Sequence, residues 1–392
     1  MRYMRQSSPA SAHRAGFNPN VHGARGLFAA SIYLFHVVNS GFATYPLLAL
    51  PAAQFLLRTT EFGVELFFCI SGFVIAGTLR RAPSPRAFLA DRAIRIYPTL
   101  WASIFVIVGL GLLTRAHGYE NWTTAGVLFW LPANLLALPG IFHWPIFHPA
   151  AWSLSYEMAF YAACAMGWWC ISRAGRTVLW PMVPIAFVAL ALYPRALLFL
   201  AGVLVAEGAL ESRRISWLTN RPILMLAIFL LAWRAIQGLT PVDITRTTLF
   251  EWAGDRRLPL AAIALTTATC GFAGLVRGVG PLGRLLRRPV LQYLGTISYS
   301  FYLWHPIAMA CIKYEMGRSG LTAVVGWNAQ LVFLLLALPP SLVAAHTSQR
   351  VLEHAVGVRL RRRLHHPAPL ADRAAPAAGA VEALASPNLG SS

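Results

Sequence analysis

Residues 323–345 read AVVGWNAQLVFLLLALPPSLVAA, a stretch without a charged side chain. A helix of about 20 apolar residues is long enough to cross the hydrocarbon core of a bilayer. Residues 290–311 are also largely apolar, and similar runs recur along the chain of 392 residues. Only 12% of all residues are charged, whereas soluble globular proteins carry about 25%. The sequence therefore predicts an all-α polytopic membrane protein and excludes a soluble enzyme.

Ten apolar segments are predicted to cross the membrane. They are residues 27–43, 62–79, 96–113, 155–172, 177–193, 195–210, 222–239, 258–276, 290–311 and 323–345. Another apolar segment, residues 124–142, carries Pro132, Asn134 and Pro139, which would leave backbone groups unpaired in lipid. If this segment crossed, the later basic loops would lie outside. If it re-enters from the outer face, most of the 33 cations are cytoplasmic, as the positive-inside rule favours.

We therefore expect about ten transmembrane helices, one re-entrant segment at residues 124–142 and two cytoplasmic termini. Residues 1–26 form the predicted N-terminal tail, residues 27–345 the transmembrane domain, and residues 346–392 a C-terminal tail that we expect to be disordered. The net charge of +19 fits basic cytoplasmic loops better than nucleic-acid binding. The five cysteines show no metal-ligand spacing, so neither a metal site nor a disulfide framework is predicted.

Ionisable residues inside membrane spans are costly and therefore mark candidate functional sites. His36 is expected near the middle of the first span, and Arg25 lies eleven positions earlier at its cytoplasmic end. Eleven residues make just over three helical turns, so the two side chains share one face about 16 Å apart. A core histidine bonded to a carbonyl and an arginine that only fixes topology are the alternatives.

Arg92 and Arg95 stand three residues apart where the third span leaves the cytoplasm. Residues at this spacing lie on the same face of a helix. Two guanidinium groups there suit a phosphate-bearing ligand, because each can bind phosphate oxygens through two hydrogen bonds. Topological anchoring alone would also explain the pair.

Three further ionisable residues are candidates for binding or orienting a substrate. Glu157 lies in WSLSYEMAFY near the predicted outer end of its span, His305 lies in SYSFYLWHPI, and Glu65 lies in FGVELFFCISGF. A carboxylate can orient a histidine or bind substrate hydroxyls, whereas a carboxylate at the interface can also simply reach water.

Five motifs in order resemble those of the acyltransferase 3 family of membrane O-acyltransferases, across about residues 20–355. They are HGARGLFAASIYLFH (residues 22–36), FGVELFFCISGFVI (62–75), DRAIRIYP (91–98), WSLSYEMAFY (152–161) and ISYSFYLWHPI (297–307). Glu65 stands where the family usually has aspartate. The later stretch HTSQRVLEHAVG keeps Glu353 but lacks the family's E-x-P ending.

The resemblance implies a bacterial inner-membrane enzyme that transfers an acyl group, most simply acetyl, from acyl-CoA as co-substrate. The acceptor would be a hydroxyl of a carbohydrate or a lipid-linked glycan. It implies that Arg25 and His36 belong to the transfer centre and that Arg92 and Arg95 hold the donor. His36 would act as general base or as a transient acyl carrier, Glu157 would assist it, and His305 and Glu65 would contact the acceptor.

Two other classes of function remain open at this point. In a proton-coupled secondary transporter, His36, Glu65, Glu157 and Glu207 would form a proton relay. In a structural partner for polysaccharide export, none of these residues would be needed for chemistry.

Overall fold

The structure is a computed structural model that describes residues 17–114, 120–238 and 248–365. Residues 1–16 of the predicted N-terminal tail and the part of the predicted C-terminal tail after residue 365 lie outside these ranges. Within them the chain is helical and contains no β-strand. Residues 346–365 were expected to be disordered but are helical, because side chains such as Glu353 and Arg361 bind Ser300 and Asp91 of other helices. The α-helices are α1 Pro19–Val38, α2 Pro51–Arg58, α3 Gly63–Arg81, α4 Pro85–Thr114, α5 Thr124–Leu135, α6 Pro139–Phe142, α7 Ala151–Ala174, α8 Leu179–Leu192, α9 Leu197–Ala206, α10 Ser216–Thr219, α11 Pro222–Gly238, α12 Leu249–Gly254, α13 Leu258–Arg277, α14 Gly280–Leu286, α15 Pro289–Arg318, α16 Leu321–Val325, α17 Ala329–Ser348 and α18 Gly357–His365.

Six helical stretches of the described chain are long and apolar enough to cross a membrane. They are Pro19–Val38, Pro51–Arg81, Pro85–Thr114, Ala151–Leu192, Leu258–Arg277 and Leu321–Arg363. This finding supports a multi-pass membrane protein. Each of the ten predicted spans overlaps a helix, but several of these helices are shorter or more polar than the six.

The first helix begins earlier than its apolar pattern predicts. It starts at Pro19 and not near residue 27, because the side chain of Asn18 caps the backbone N–H groups of Asn20 and Val21. Its polar first turns are stabilised by neighbouring helices, as when Asn20 donates to the carbonyl of Val276. His36 therefore lies in the last turn of α1. The expected position near the middle of the span is corrected accordingly.

Glycine residues allow two pairs of helices to pack backbone against backbone. A Cβ atom at Gly72 of α3 would overlap the carbonyl oxygen of Phe199, and one at Gly202 of α9 would overlap that of Cys69. Small residues at helix interfaces permit this close approach inside membranes. The same holds for α1 and α15, which meet at Gly26. These contacts fix the helices that carry the buried polar residues.

Residues 124–147 fold back on themselves. The Asn134 side chain donates to the carbonyls of Trp130 and Pro145 and accepts from the backbone N–H of Phe147. The adjoining helix α6 packs against α7, where the backbone N–H of Gly140 donates to Ser155. A single buried amide thus joins the two arms of this segment.

Candidate functional site

Five helices, α1, α3, α4, α7 and α15, line a cavity of about 70 Å³, whose wall is largely apolar but includes several charged and hydroxyl side chains. This volume is large enough for several water molecules. The ionisable and hydroxyl side chains that line it are Arg25, Ser71, Arg95, Ser153, Glu157, Tyr161, Ser298, Tyr299 and Tyr302. Three residues predicted from separate motifs, Arg25, Arg95 and Glu157, therefore share one site.

Among the described residues, Glu157 is held by hydroxyl groups and forms no direct ion pair. One of its carboxylate oxygens accepts hydrogen bonds from Ser71 at 2.8 Å and from the hydroxyl of Tyr161, one helical turn further along α7. The expected position at the outer end of a span is refined by the structure, which gives Glu157 a place in the wall of the cavity. These two bonds hold that carboxylate oxygen in place.

Arg25 and Arg95 lie close enough for their like charges to interact. Arg25 donates through Nε to Ser298 at 3.1 Å. Among the described residues neither guanidinium has a carboxylate within ion-pair distance, although Glu157 and Glu353 lie within electrostatic range of both. Two partly unsatisfied guanidiniums in a cavity can bind an anion or a polarised carbonyl oxygen.

Glu353 is a residue to which the sequence assigned no role. It follows α17 in the π-helical stretch Gln349–Val356 and accepts from the backbone N–H and the hydroxyl of Ser300, at 3.2 and 2.5 Å. π-Helical segments are often found at functional sites. Glu353 brings a second carboxylate toward Arg25 and Arg95. The signal in the sequence that could have identified it is its position directly after a long apolar helix.

Arg92 and Arg95 have different surroundings despite their spacing. Arg92 forms an ion pair with its neighbour Asp91 at 2.7 Å, and Arg361 of α18 binds the other oxygen of the same carboxylate at 2.8 Å. Arg95 lines the cavity and Arg92 does not. Of the two residues predicted to bind the donor, Arg95 therefore lies in the cavity and Arg92 lies in a charge network.

His36 and His305 meet at a second place, adjoining the cavity. Their ring centroids are 5.3 Å apart. The ring of Tyr302, whose side chain lines the cavity, lies 6.3 Å from that of His305. His36 and Arg25 sit on the same helix, eleven residues and about 16 Å apart. The predicted transfer centre therefore has two parts, which α1 and α15 connect.

Another histidine, His148, contributes to this neighbourhood from the segment between α6 and α7. Its Nε2 donates to the carbonyl of Leu303 at 2.8 Å, and its Nδ1 accepts from the backbone N–H of Ala150 at 3.1 Å. Burial lowers the pKa of His148 to about 4. Its imidazole is therefore neutral near pH 7, as these two hydrogen bonds require.

Glu65 lies apart from the cavity. Its carboxylate pairs with Arg195 at 3.4 Å, and the guanidinium of Arg195 lies 4.9 Å from the ring centre of Trp152. Glu207 is half exposed and pairs with Arg80. The four groups of the transporter hypothesis, His36, Glu65, Glu157 and Glu207, are therefore not gathered into one relay.

A wider groove of about 560 Å³ adjoins the cavity, because Arg25 and Val74 line both. Arg81, Arg277 and the Glu207-paired Arg80 are further cations along the groove, which also has one acid, Glu211. Within the described residues no group of three or more histidine, cysteine or acidic side chains could hold a metal ion. The groove suits an anionic ligand that reaches toward the cavity.

Comparison with known proteins adds an independent finding. The sequence profile of the acyltransferase domain, acyltransferase 3, matches residues 18–346. The exopolysaccharide production protein ExoZ of Rhizobium meliloti (strain 1021) is 28% identical over 295 residues, which cover 70% of this chain and 83% of ExoZ. No solved structure gives a significant match.

Two further relatives have similar coverage. The acyltransferase MdmB of Streptomyces mycarofaciens is 28% identical over 326 residues, or 73% of this chain and 78% of MdmB. Nodulation protein 10 of Rhizobium leguminosarum bv. viciae is 25% identical over 345 residues, or 77% of this chain and 85% of that protein. The similarity to these relatives therefore extends over most of each protein, and the family match spans the five helices around the cavity.

Proposed function

This chain belongs to the acyltransferase 3 family and is a membrane acyltransferase, and from that premise we propose that it acetylates a carbohydrate. The donor is acetyl-CoA, and the acceptor is a hydroxyl of a cell-envelope or exported glycan, free or lipid-linked. A relative named for exopolysaccharide production supports the carbohydrate acceptor.

The observation that carries this proposal is the pair of guanidiniums in the cavity, Arg25 and Arg95, next to the arginine-lined groove. Coenzyme A carries several phosphate charges on one end and a long pantetheine arm on the other. The groove offers cations for the phosphates, and the cavity offers hydrogen-bond donors for the arm. We assign Arg95 to direct contact with acetyl-CoA. Arg92 stays a predicted donor-binding residue, and we expect it to influence acetyl-CoA binding through its ion pair with Asp91.

His36 carries the chemical step in this proposal. Its unprotonated nitrogen removes the proton of the acceptor hydroxyl while the hydroxyl oxygen attacks the thioester carbonyl carbon. The carbon–sulfur bond then breaks, and the proton passes to the leaving thiolate of CoA. In the alternative, the unprotonated nitrogen of His36 attacks the thioester carbon and the CoA thiolate leaves. The acceptor hydroxyl then attacks the acetyl-imidazole, which frees His36, and the hydroxyl proton passes to the thiolate. The separation of about 16 Å from Arg25 is one that an extended pantetheine arm can cover.

The transmembrane arrangement follows the same proposal. Ten helices cross the bacterial inner membrane, both termini are cytoplasmic, and residues 124–142 re-enter from the outer face. Helix α5 has 12 residues and is about 18 Å long, which is short of the ~30 Å hydrocarbon core. The hydrogen bonds of Asn134 to both arms of the segment support a return to the same side.

Acetyl-CoA turnover tests the proposed reaction. Purified protein in lipid nanodiscs is expected to release free CoA thiol from acetyl-CoA, and a deletion strain is expected to lose an acetyl mass from its envelope glycans. Removal of a general base typically lowers the rate about 10² to 10⁴-fold, so His36→Ala is expected to abolish transfer. His346→Ala is the matched control, because His346 is bonded to Tyr293 away from both parts of the centre. More than half of the wild-type rate in correctly inserted His36→Ala would reject the assignment.

Cysteine labelling tests the topology. A cysteine placed at Arg176 is expected to react with a membrane-impermeant reagent only after the cytoplasmic side is opened. Labelling of intact spheroplasts at this position would show that residues 124–142 cross the membrane. A cysteine at Arg58, on the opposite side in this arrangement, serves as the control.

A further inference from the structure

The ring of His305 has one hydrogen-bonded nitrogen and one without a partner. His305 lies within α15 and is 0% exposed. Its Nδ1 is 2.7 Å from the carbonyl oxygen of Phe301, one turn earlier in the same helix. Its Nε2 is buried and forms no hydrogen bond to any of the described residues. A buried nitrogen without a partner is costly, so we expect Nε2 to find a hydrogen-bond partner in the working protein.

The bond to Phe301 determines the tautomer of His305. A carbonyl oxygen can only accept, so Nδ1 must carry the proton. In the neutral ring, Nε2 is then a hydrogen-bond acceptor. The missing partner of His305 is therefore a donor.

Among the rings that contact His305, one is left to supply that donor. Tyr33 donates its hydroxyl to the carbonyl of Leu334 at 3.0 Å, and the hydroxyl of Tyr302 is engaged with Ser153 at 2.8 Å. Both ring nitrogens of His148 are occupied by backbone groups. The ring of His36, 5.3 Å from that of His305 between centroids, forms no hydrogen bond to the described residues.

We propose that His305 is a positioning residue whose Nε2 accepts the ring N–H of His36. A small rotation of the half-buried His36 ring at the end of α1 completes this bond. With one nitrogen of His36 held as the donor, its other nitrogen is the unprotonated one that can accept a proton or attack an acyl group. His305 therefore acts on His36 and not on the carbohydrate, and this assignment rests on the proposed role of His36.

Two amide substitutions of His305 separate its nitrogens. The side chain of asparagine can replace Nδ1, whereas that of glutamine reaches the position of Nε2 and can accept there through its oxygen. His305→Asn keeps a bond to Phe301 but loses the acceptor for His36. His305→Gln restores that acceptor, so a positioning role predicts rescue by glutamine alone.

The reactivity of His36 toward diethyl pyrocarbonate measures this effect without turnover. The reagent modifies unprotonated imidazole, and mass spectrometry of peptides identifies the modified histidine. In His305→Asn we expect the modification rate of His36 to fall about tenfold, the value of one lost hydrogen bond, and in His305→Gln to stay within about threefold of wild type. His346→Asn controls for the loss of a histidine elsewhere on the protein.

Hydrolysis of acetyl-CoA by water, without added glycan, gives a second readout. A positioning role predicts that kcat for thiol release falls in His305→Asn while the KM for acetyl-CoA is unchanged. If His305 bound only the acceptor, water-dependent hydrolysis would be the same in all variants. Equal reactivity of His36 in the asparagine and glutamine variants, whether both high or both low, would overturn the proposal. If acetyl-CoA is not turned over at all but the reactivity of His36 follows the expected order, the proposed reaction fails and the contact between the histidines stands.

Discussion

Two buried arginine–glutamate arrangements in this protein differ in whether the charges already neutralise each other. Glu65 and Arg195 pair directly at 3.4 Å, and the guanidinium also lies over Trp152. Around the cavity, Arg25 and Arg95 face Glu157 and Glu353 without an ion pair at that distance among the described residues. The first arrangement is closed to ligands, and the second surrounds a space.

This difference separates a structural role from a binding role. Removing one member of a buried pair leaves an uncompensated charge and destabilises the fold. Removing a guanidinium from the cavity mainly removes a donor that a ligand would use. Substitutions in the two arrangements should therefore change different measured quantities.

The largest effect on stability is expected at the closed pair. Arg195→Ala should lower the free energy of unfolding by about 3 to 5 kcal/mol, because the carboxylate of Glu65 stays buried without its counter-charge. Thermal unfolding in detergent measures this change. The double substitution Arg195→Met with Glu65→Leu is the control and should recover most of the stability. A single variant as stable as wild type would show that water reaches this pair.

At the open arrangement the expected change is in donor affinity. Arg95→Ala should weaken acetyl-CoA binding about ten- to a hundred-fold through lost charge-assisted hydrogen bonds, with little change in unfolding temperature. Arg95→Lys should rescue only partly, since a lysine supplies a point charge and not two parallel donors. Equilibrium dialysis with acetyl-CoA provides the affinities. Unchanged affinity in a correctly inserted alanine variant would remove Arg95 from the donor site.

The smallest effect on donor affinity is expected at Arg92. Like Arg195 it already has an ion-pair partner, and like Arg95 it is a predicted donor-binding residue. Its guanidinium is paired with Asp91, whose carboxylate also binds Arg361. We expect Arg92→Ala to weaken acetyl-CoA binding less than Arg95→Ala does, in the same dialysis assay. Arg361→Ala is the matched control for disturbing Asp91 alone. A loss at Arg92 equal to that at Arg95 would place both guanidiniums on the donor.

The sequence pointed to an all-helical fold and to three of the charged residues around the cavity, but not to the partners of these residues. An all-helical membrane protein followed from apolar runs. Glu157 stood out as a charge inside such a run, Arg25 because it shares a helix face with His36, and Arg95 because of its spacing from Arg92. The pairing of Glu65 with Arg195 could not be read from sequence, because the residues lie on different helices whose packing decides the contact. The different surroundings of Arg92 and Arg95 could not be predicted for the same reason. Their spacing shows which face of one helix they share, but it does not show which helices pack against that face.

Helix boundaries show a second limit of the apolar pattern. The start of α1 was signalled by Asn18 and Pro19, a capping residue followed by proline, and not by hydrophobicity. Polar residues of the first turns become helical because other helices satisfy their side chains. Such partners are distant in sequence, so the pattern alone placed His36 too far from the end of its helix.

The segment of α1 between Arg25 and His36 sets a fixed distance between these two side chains. Its length of about 16 Å is set by the helical rise and is locked by the backbone contact of Gly26 with α15. On the proposed mechanism, a donor held at Arg25 must match this length to present its thioester to His36. Acetyl phosphate has no pantetheine arm. We therefore expect it to fail as a donor even if the arginines bind its charge. Donor selection would then depend on reach as much as on charge.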